Sequence, residues 1–386
     1  MSARYTMLLI LSLGLAAGRG PGLLDNGLAR TPPMGWNSWN HFGCDVSAQL
    51  IKETADAMAR SGMRDAGYQY VVIDDCWQVA RDGANRLVAD SVRFPGGIKP
   101  LADYVHSKGL KLGIYTDAGR QTCQGRPGTY GFEELDARTF AEWGVDYVKE
   151  DWCYADGLNA PVQYAKFRDA LAKAGRPIVF SICEWGSNQP WEWGPQTGNL
   201  WRTTGDIGDR WASMIGILDL STQYAHAAAP GHWNDPDMLE VGNGGMTDDE
   251  YRAHFSLWAL LAAPLMAGND LRAMPAATRD ILLNKEIIAV DQDQLGKQGM
   301  LVQEPALDLQ VWSKPLTDGS RAVVLLNRSV LQTVVTASWH ALGIHGAARV
   351  RDLWAHSDLG TFTDRFGATV PAHGVVMVRI SPTPGT

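Results

Sequence analysis

The chain has 386 residues, 45% hydrophobic and 20% charged, a globular composition that excludes a disordered polymer, a fibrous repeat and a coiled coil. Asp and Glu (42) outnumber Lys and Arg (34) and no basic run stands out, which argues against a nucleic-acid partner. Five Cys are too few for a disulfide-built scaffold, and a chain this long can bury a core of its own.

In chain order, Arg4 is followed by an apolar stretch, Met7–Ala17, and then by small residues. This is the pattern of a secretory signal, and the stretch falls short of the roughly 20 apolar residues that span a bilayer. Residues 1–20 are therefore expected to be a cleaved signal peptide on a secreted or periplasmic protein, with no membrane attachment after removal. Export exposes the Cys to oxidising conditions in which pairs can close.

From residue 34 to about 270, eight short apolar runs each end in polar or charged residues: Met34–Ser38, Tyr70–Asp75, Leu110–Asp117, Val145–Asp151, Ile178–Trp185, Leu200–Asp206, His232–Met238 and Pro264–Asp270. Helix-like stretches separate most of them. Ser47 can cap one in which Leu50, Ile51, Ala55 and Met58 share a stripe, and Ala137–Trp143 and Val162–Ala174 read similarly. Eight strand–helix units predict a (β/α)8 TIM barrel over residues 21–297. An open doubly wound sheet would carry a Gly-rich phosphate turn after its first strand, and the segment after Met34 is not one. Beyond a short join near Asp291–Gly299 the texture changes. Val323–Asn327, Thr333–Ser338, Ala348–Trp354 and Val375–Ile380 read as strands with turn residues such as Asp318-Gly319 between them. Residues 298–386 are thus expected to form a C-terminal antiparallel β-sandwich domain packed tightly on the barrel. Asn327-Arg328-Ser329 is a glycosylation sequon.

The chemistry of a barrel sits at the carboxyl ends of its strands. Here those ends carry Asp74, Asp75, Asp117, Asp151, Glu184, Asp206, Asp235 and Asp237, and acids converging on one rim point to a polar ligand. Alternation along a strand puts Lys149 with Asp151, Arg202 with Thr204 and Asp206, and Asp235 with Asp237. A cation such as Lys149 favours the ionised carboxylate of its neighbour, and two carboxyls sharing a site separate into one ionised and one protonated group. That is the equipment for glycoside hydrolysis. Trp36, Trp39, Trp77, Trp152, Trp185 and Trp233 also lie at strand ends, where an indole can pack on a sugar face. No Cys-X-X-Cys and no His cluster with zinc-ligand spacing occurs among nine His, so neither metal nor cofactor is expected.

Seven segments carry a resemblance: Thr31–Cys44 (TPPMGWNSWNHFGC), Val72–Trp77 (VIDDCW), Leu110–Gly119 (LKLGIYTDAG), Tyr147–Cys153 (YVKEDWC), Cys183–Gly186 (CEWG), Trp201–Asp206 (WRTTGD) and Trp233–Gly245 (WNDPDMLEVGNGG). Together they resemble glycoside hydrolase family 27, and most nearly its plant and bacterial α-galactosidases, over essentially the whole mature chain. The resemblance implies a retaining double displacement with Asp151 as nucleophile and Asp206 as acid/base, their carboxyls about 5–5.5 Å apart. It implies that Asp74 and Asp75 bind the galactose 4- and 6-hydroxyls, Lys149 the ring hydroxyls, and Glu184 with Arg202 the 2-hydroxyl. Trp36 would line the pocket, Tyr115 flank the nucleophile, Asp237 close the far rim, and Cys183 and Trp185 stand near the sugar. Cys44–Cys76 and Cys123–Cys153 would be disulfides, with Cys183 a free thiol.

Three residues depart from the plant pattern: Glu150 and Trp152 beside the nucleophile, and His232 before Trp233. They are expected to alter the pocket wall. The implied activity is removal of terminal α-D-galactose from oligosaccharides of the melibiose and raffinose type or from galactomannan, by a monomer or homodimer. β-L-arabinopyranosidase, α-N-acetylgalactosaminidase and isomaltodextranase-like specificities compete within the family, and a catalytically dead carbohydrate-binding protein is the alternative from another class. Against an acetamide at the 2-position stands the charge of Glu184.

Overall fold

Each of the eight apolar runs contributes one short parallel strand: β1 (Met34–Asn37), β2 (Tyr70–Ile73), β3 (Lys111–Asp117), β4 (Tyr147–Asp151), β5 (Val179–Ile182), β6 (Leu200–Arg202), β7 (Trp233–Asp235) and β8 (Leu265–Ala267). Their order in the sheet is β8-β1-β2-β3-β4-β5-β6-β7. The two edges meet just beyond β7, where Leu239 bridges Ala267 in parallel and its N–H reaches the Met266 carbonyl at 2.8 Å. The cylinder is therefore closed, as a (β/α)8 barrel requires. The structure is a computed structural model and describes residues 22–383. The segment expected to be a signal peptide, residues 1–20, lies outside the described residues. Among those described, no helix is long and apolar enough to cross a membrane.

The crossovers follow local chemistry. Helix α1 (Ala48–Ser61) begins where the Ser47 hydroxyl accepts the Leu50 N–H, and it buries Leu50, Ile51, Ala55 and Met58 on one stripe. Helices α2 (Lys99–Ser107), α3 (Glu133–Trp143) and α4 (Ala160–Lys173) follow β2, β3 and β4. The β5–β6 connection has no full helix, only Pro190–Trp193 and a 3-10 turn at Gly194–Gln196. Helix α5 (Trp211–Ser221) follows β6. Helix α6 (Asp248–Leu261) is opened by a reciprocal pair of bonds between Thr247 and Glu250. After β8 come Ala276–Leu282 and α7 (Lys285–Asp291).

The C-terminal part holds twice the four strands read from the sequence. They are β9 (Met300–Ala306), β10 (Leu309–Pro315), β11 (Arg321–Asn327), β12 (Thr333–Ser338), β13 (Ala347–Asp352), β14 (Ser357–Thr363), β15 (Arg365–Val370) and β16 (Gly374–Pro382). A six-stranded sheet ordered β9-β10-β11-β16-β13-β14 faces the β12–β15 pair. Strand β11 shows why the sandwich and barrel adhere. Val323 and Leu325 enter the core between the two sheets, whereas Ala322, Val324 and Leu326 alternate to the other side and join the barrel's core. The Asn327 amide is buried and donates to the carbonyls of Leu331, Val370 and Pro371, so the sequon at this position is a structural turn with no free nitrogen for a glycan.

Candidate active site

One cavity of about 440 Å3 opens at the carboxyl ends of the strands, within the size range of ligand sites. It is reached by Asp74 and Asp75 just past β2, Tyr115 of β3, Lys149 and Asp151 of β4, Trp185 after β5, Arg202 of β6, and Asp206 and Asp237 in the loops after β6 and β7. Parallel pairing sets Tyr115 level with Lys149, and alternation in β4 brings Lys149 and Asp151 to the same face. Asp74 receives the Lys149 ammonium at 2.9 Å and the Asn37 amide at 2.7 Å on the same oxygen, Oδ2. Asp75 accepts the N–H of Cys76 and of Gln124. The Tyr115 hydroxyl donates to Asp151 Oδ2 at 3.0 Å. Arg202 Nη2 holds Asp206 Oδ1 at 2.9 Å and Asp237 Oδ2 at 3.0 Å, while its buried Nε has no partner among the described residues. Cys76, Trp185 and Asp237 all have positive φ (77°, 59° and 83°). Such backbone costs of order 1–3 kcal/mol each and tends to gather at functional sites.

The two acids differ in charge environment. Burial pushes Asp151 up to about 6, against the opposing field of Lys149 and the bonds from Trp152 N–H and Tyr115. Burial also acts to raise Asp206, but the Arg202 and Lys149 charges and the Arg202 hydrogen bond outweigh it and hold the carboxyl below its usual value. Burial thus favours the proton on Asp151, whereas the Arg202 contact favours the charge on Asp206. The reason is contact. Lys149 bonds Asp74 rather than Asp151, and the cation that touches a member of the pair is Arg202.

Several sequence expectations are corrected by position. Trp36 does not line the pocket; it is fully buried, with its N–H on the Asn269 carbonyl. Glu184 is also fully buried, and one carboxylate oxygen takes both the N–H and the side-chain amide of Asn188. From that loop it is Trp185 that reaches the cavity. Cys183 is a buried free thiol 3.7 Å from Arg202 Nη1, behind the wall. Of the six strand-end Trp, only Trp39 and Trp185 face the cavity; Trp77 and Trp233 are core residues and Trp152 stacks on Tyr164. Strand β6 ends at Arg202 and β7 at Asp235, so Asp206 and Asp237 reach the cavity through loops, not through alternation. Asp117 is buried away from it, where burial raises its carboxyl to about 9 and the N–H groups of Gly119 and Cys153 cap it.

The three departures leave the wall untouched. Trp152 packs outward, Glu150 faces away from Lys149 and Asp151, and His232 contacts the Leu24 carbonyl at the start of β7. Cys44 is bonded to Cys76 and Cys123 to Cys153, and the second bridge puts the Cys123 sulfur 3.6 Å from Asp151 Oδ2. Asp117, Cys123, Asp151 and Cys153 have the spacing of metal ligands, but both sulfurs are joined to each other and offer no thiolate.

A family model described as alpha galactosidase A matches residues 31–293, and one for the alpha galactosidase C-terminal beta sandwich domain matches 307–380. The chain belongs to the α-galactosidase family. Family members similar to it include the α-galactosidase of Cyamopsis tetragonoloba, 52% identical over 93% of this chain and 88% of the relative. Another is α-galactosidase A of Cellvibrio japonicus, 50% identical over 92% of this chain and 93% of the relative. The solved α-galactosidase I of Mortierella vinacea superposes with a TM-score of 0.91 at 40% identity, covering 93% of this chain and 99% of that one. Within this family frame, the cavity also holds Trp39, Asn40, His41, Asp209, Glu240 and Asn243, of which the strand-end pattern points only to Trp39. The signal for most of the others is present in the segments Thr31–Cys44 and Trp233–Gly245, which are denser in polar and aromatic residues than strand ends alone require.

Proposed function

We propose that Asp151 is the nucleophile and Asp206 the acid/base of a retaining exo-acting enzyme. The chain is a glycoside hydrolase that releases terminal α-D-galactose from galactosides. Asp206 gives a proton to the glycosidic oxygen as Asp151 attacks the anomeric carbon and the carbon–oxygen bond breaks; Asp206 then takes a proton from the water that cleaves the galactosyl-enzyme. The observation that carries this is that Asp151 and Asp206 open into the same cavity. Asp74, Asp75 and Lys149 supply acceptors and a donor for sugar hydroxyls in the same space, and the unpartnered Arg202 Nε offers another. The substrates are oligosaccharides of the melibiose and raffinose type or galactomannan side chains, met outside the cytoplasm after removal of residues 1–20, by a barrel of residues 21–297 and a β domain of 298–386 acting as a monomer or homodimer.

The test is a product-resolved assay on raffinose followed by NMR. α-Galactose must appear first and mutarotate later. Asp151→Asn must stop turnover, a loss of several orders of magnitude, while leaving the melting temperature in place. First release of the β-anomer, or near-parental rates from Asp151→Asn on an aryl α-galactoside, defeats the assignment.

A further inference from the structure

In the double displacement proposed above, Asp206 must give its proton to one oxygen, yet no strand holds it. Strand β6 ends at Arg202, and Asp206 follows on a loop with its side chain 68% exposed. Among the described residues its carboxylate has one hydrogen-bond partner, Arg202 Nη2. General acid catalysis works when the donor stays within hydrogen-bond reach of the oxygen it protonates. A loop side chain with one partner does not meet that condition by itself.

The neighbouring Asp237 supplies the hold. It borders the same cavity but is 6% exposed. Its Oδ2 accepts the N–H of Ile207, the residue after Asp206, at 2.8 Å and meets Arg202 Nη2 at 3.0 Å. One oxygen thus grips both the backbone beside Asp206 and the cation that Asp206 touches. Asp237 is itself tied at every polar group. Its N–H donates to Asp235 Oδ1 at 2.9 Å, its Oδ1 accepts the Met238 N–H at 2.8 Å, and its carbonyl accepts the Trp258 indole N–H at 2.7 Å. These bonds keep it at φ 83°, in the left-handed region that residues with a Cβ rarely adopt. Trp258 belongs to α6. The Asn40 and Asn243 amides both donate to Glu240, at 2.7 Å and 2.6 Å, which fastens the same loop to the turn after β1.

Charge matters as well as grip. Arg202 Nη2 is shared, 2.9 Å from Asp206 and 3.0 Å from Asp237. A cation wholly committed to Asp206 would favour its ionised form, and an ionised acid has no proton to give. A second carboxylate on the same nitrogen divides that attraction. We infer that Asp237 is a positioning residue for the acid: through Ile207 it sets the loop that carries Asp206, and through Arg202 it divides the cation's hold, so that Asp206 meets the glycosidic oxygen with its proton. Its carboxyl serves the acid and not the galactose. The inference rests on the placement of Asp206 as the acid.

The experiment compares kcat/KM for melibiose, whose departing sugar oxygen needs a proton, with that for dinitrophenyl α-D-galactoside, whose phenolate leaves without one. The variants are Asp237→Asn, which keeps the shape of the side chain, and Asp237→Ala, with Asp206→Ala as the reference. Both substrates present the same galactose, so a weaker hold on galactose, or a loss of folded enzyme, cancels in the ratio of the two. Asp206→Ala should lower the melibiose-to-dinitrophenyl ratio by about a hundredfold or more, the worth of general acid catalysis. Each Asp237 variant should lower it by about tenfold to a hundredfold, the loss expected from a misplaced catalytic group. A ratio unchanged in both Asp237 variants while Asp206→Ala lowers it overturns the positioning role and leaves Asp206 as the acid. A ratio unchanged in Asp206→Ala overturns the acid assignment, and the inference with it.

Discussion

Asp151 and Asp206 are displaced in opposite directions by their surroundings, and the direction has a kinetic consequence. The proposed double displacement needs Asp151 ionised and Asp206 protonated, yet burial places Asp151 at about 6 and Arg202 keeps Asp206 below its usual value. The rate depends on the protonation of both carboxyls at once. Below the lower of their two titration steps both carboxyls are protonated and no nucleophile exists; above the upper step, near 6, no proton is left for the leaving group. The pH dependence of kcat/KM should therefore be bell-shaped with its alkaline limb near pH 6. A plateau running on to pH 8 would show that Arg202 does not govern the acid in the free enzyme. Lys149 and Asp151 could be placed together from sequence because both stand inside one strand. The partner of Lys149 could not, since Asp74 approaches from β2, far away in the chain.

Gly35 in β1 shows how an element positions the chemistry. Its register partner is Tyr70 of β2, and a Cβ at Gly35 would meet the Tyr70 carbonyl oxygen at 2.5 Å. That oxygen is backbone in a paired strand and cannot yield. Gly35→Ala should push β1 from β2 and cost about 1–3 kcal/mol. It should also reduce kcat/KM, because Asn37 two residues on holds Asp74. Thermal unfolding and steady-state rates measured together would check this; an unchanged melting temperature contradicts the close approach. The same level of organisation explains where strand reading succeeded and failed. Every barrel run was legible, since each is apolar and bounded by polar residues. In the sandwich, β9 and β14 escape a reading by pattern because they are edge strands with little burial and so no apolar periodicity. Beyond β6 and β7 alternation had no meaning, because the chain leaves the sheet before Asp206 and Asp237.

The joint between barrel and sandwich contains a charge. Lys314 of β10 is fully buried, its ammonium donates to the Val290 carbonyl at 2.6 Å, and burial lowers it to about 8. Asp291, at the end of α7, is likewise buried; burial raises its carboxyl, the Lys314 charge opposes that, and Asp291 Oδ1 has no hydrogen-bond partner among the described residues. Removing one member of a buried pair leaves the other uncompensated, so Lys314→Met should cost about 3–5 kcal/mol. Adding Asp291→Leu should recover part of that loss. Denaturant unfolding of the two single variants and the double would decide it: strictly additive costs would mean that the two groups do not interact.

The eight-unit barrel, the following β domain and the identity of most cavity residues were written in local pattern: apolar runs at a regular interval, polar strand ends, and segments dense in Trp, Asp and Asn. Which of those residues meet the ligand was not. Trp36, Cys183 and Glu184 sit within a few residues of side chains that do reach the cavity, yet packing turns all three into the wall. Local spacing determines the face a side chain leaves from only while the backbone stays regular. Past a strand end, the direction is set by positive-φ turns and by partners from distant loops, as with Asp237 and the Asn40–Glu240–Asn243 bridge, and those partners are chosen when the barrel closes.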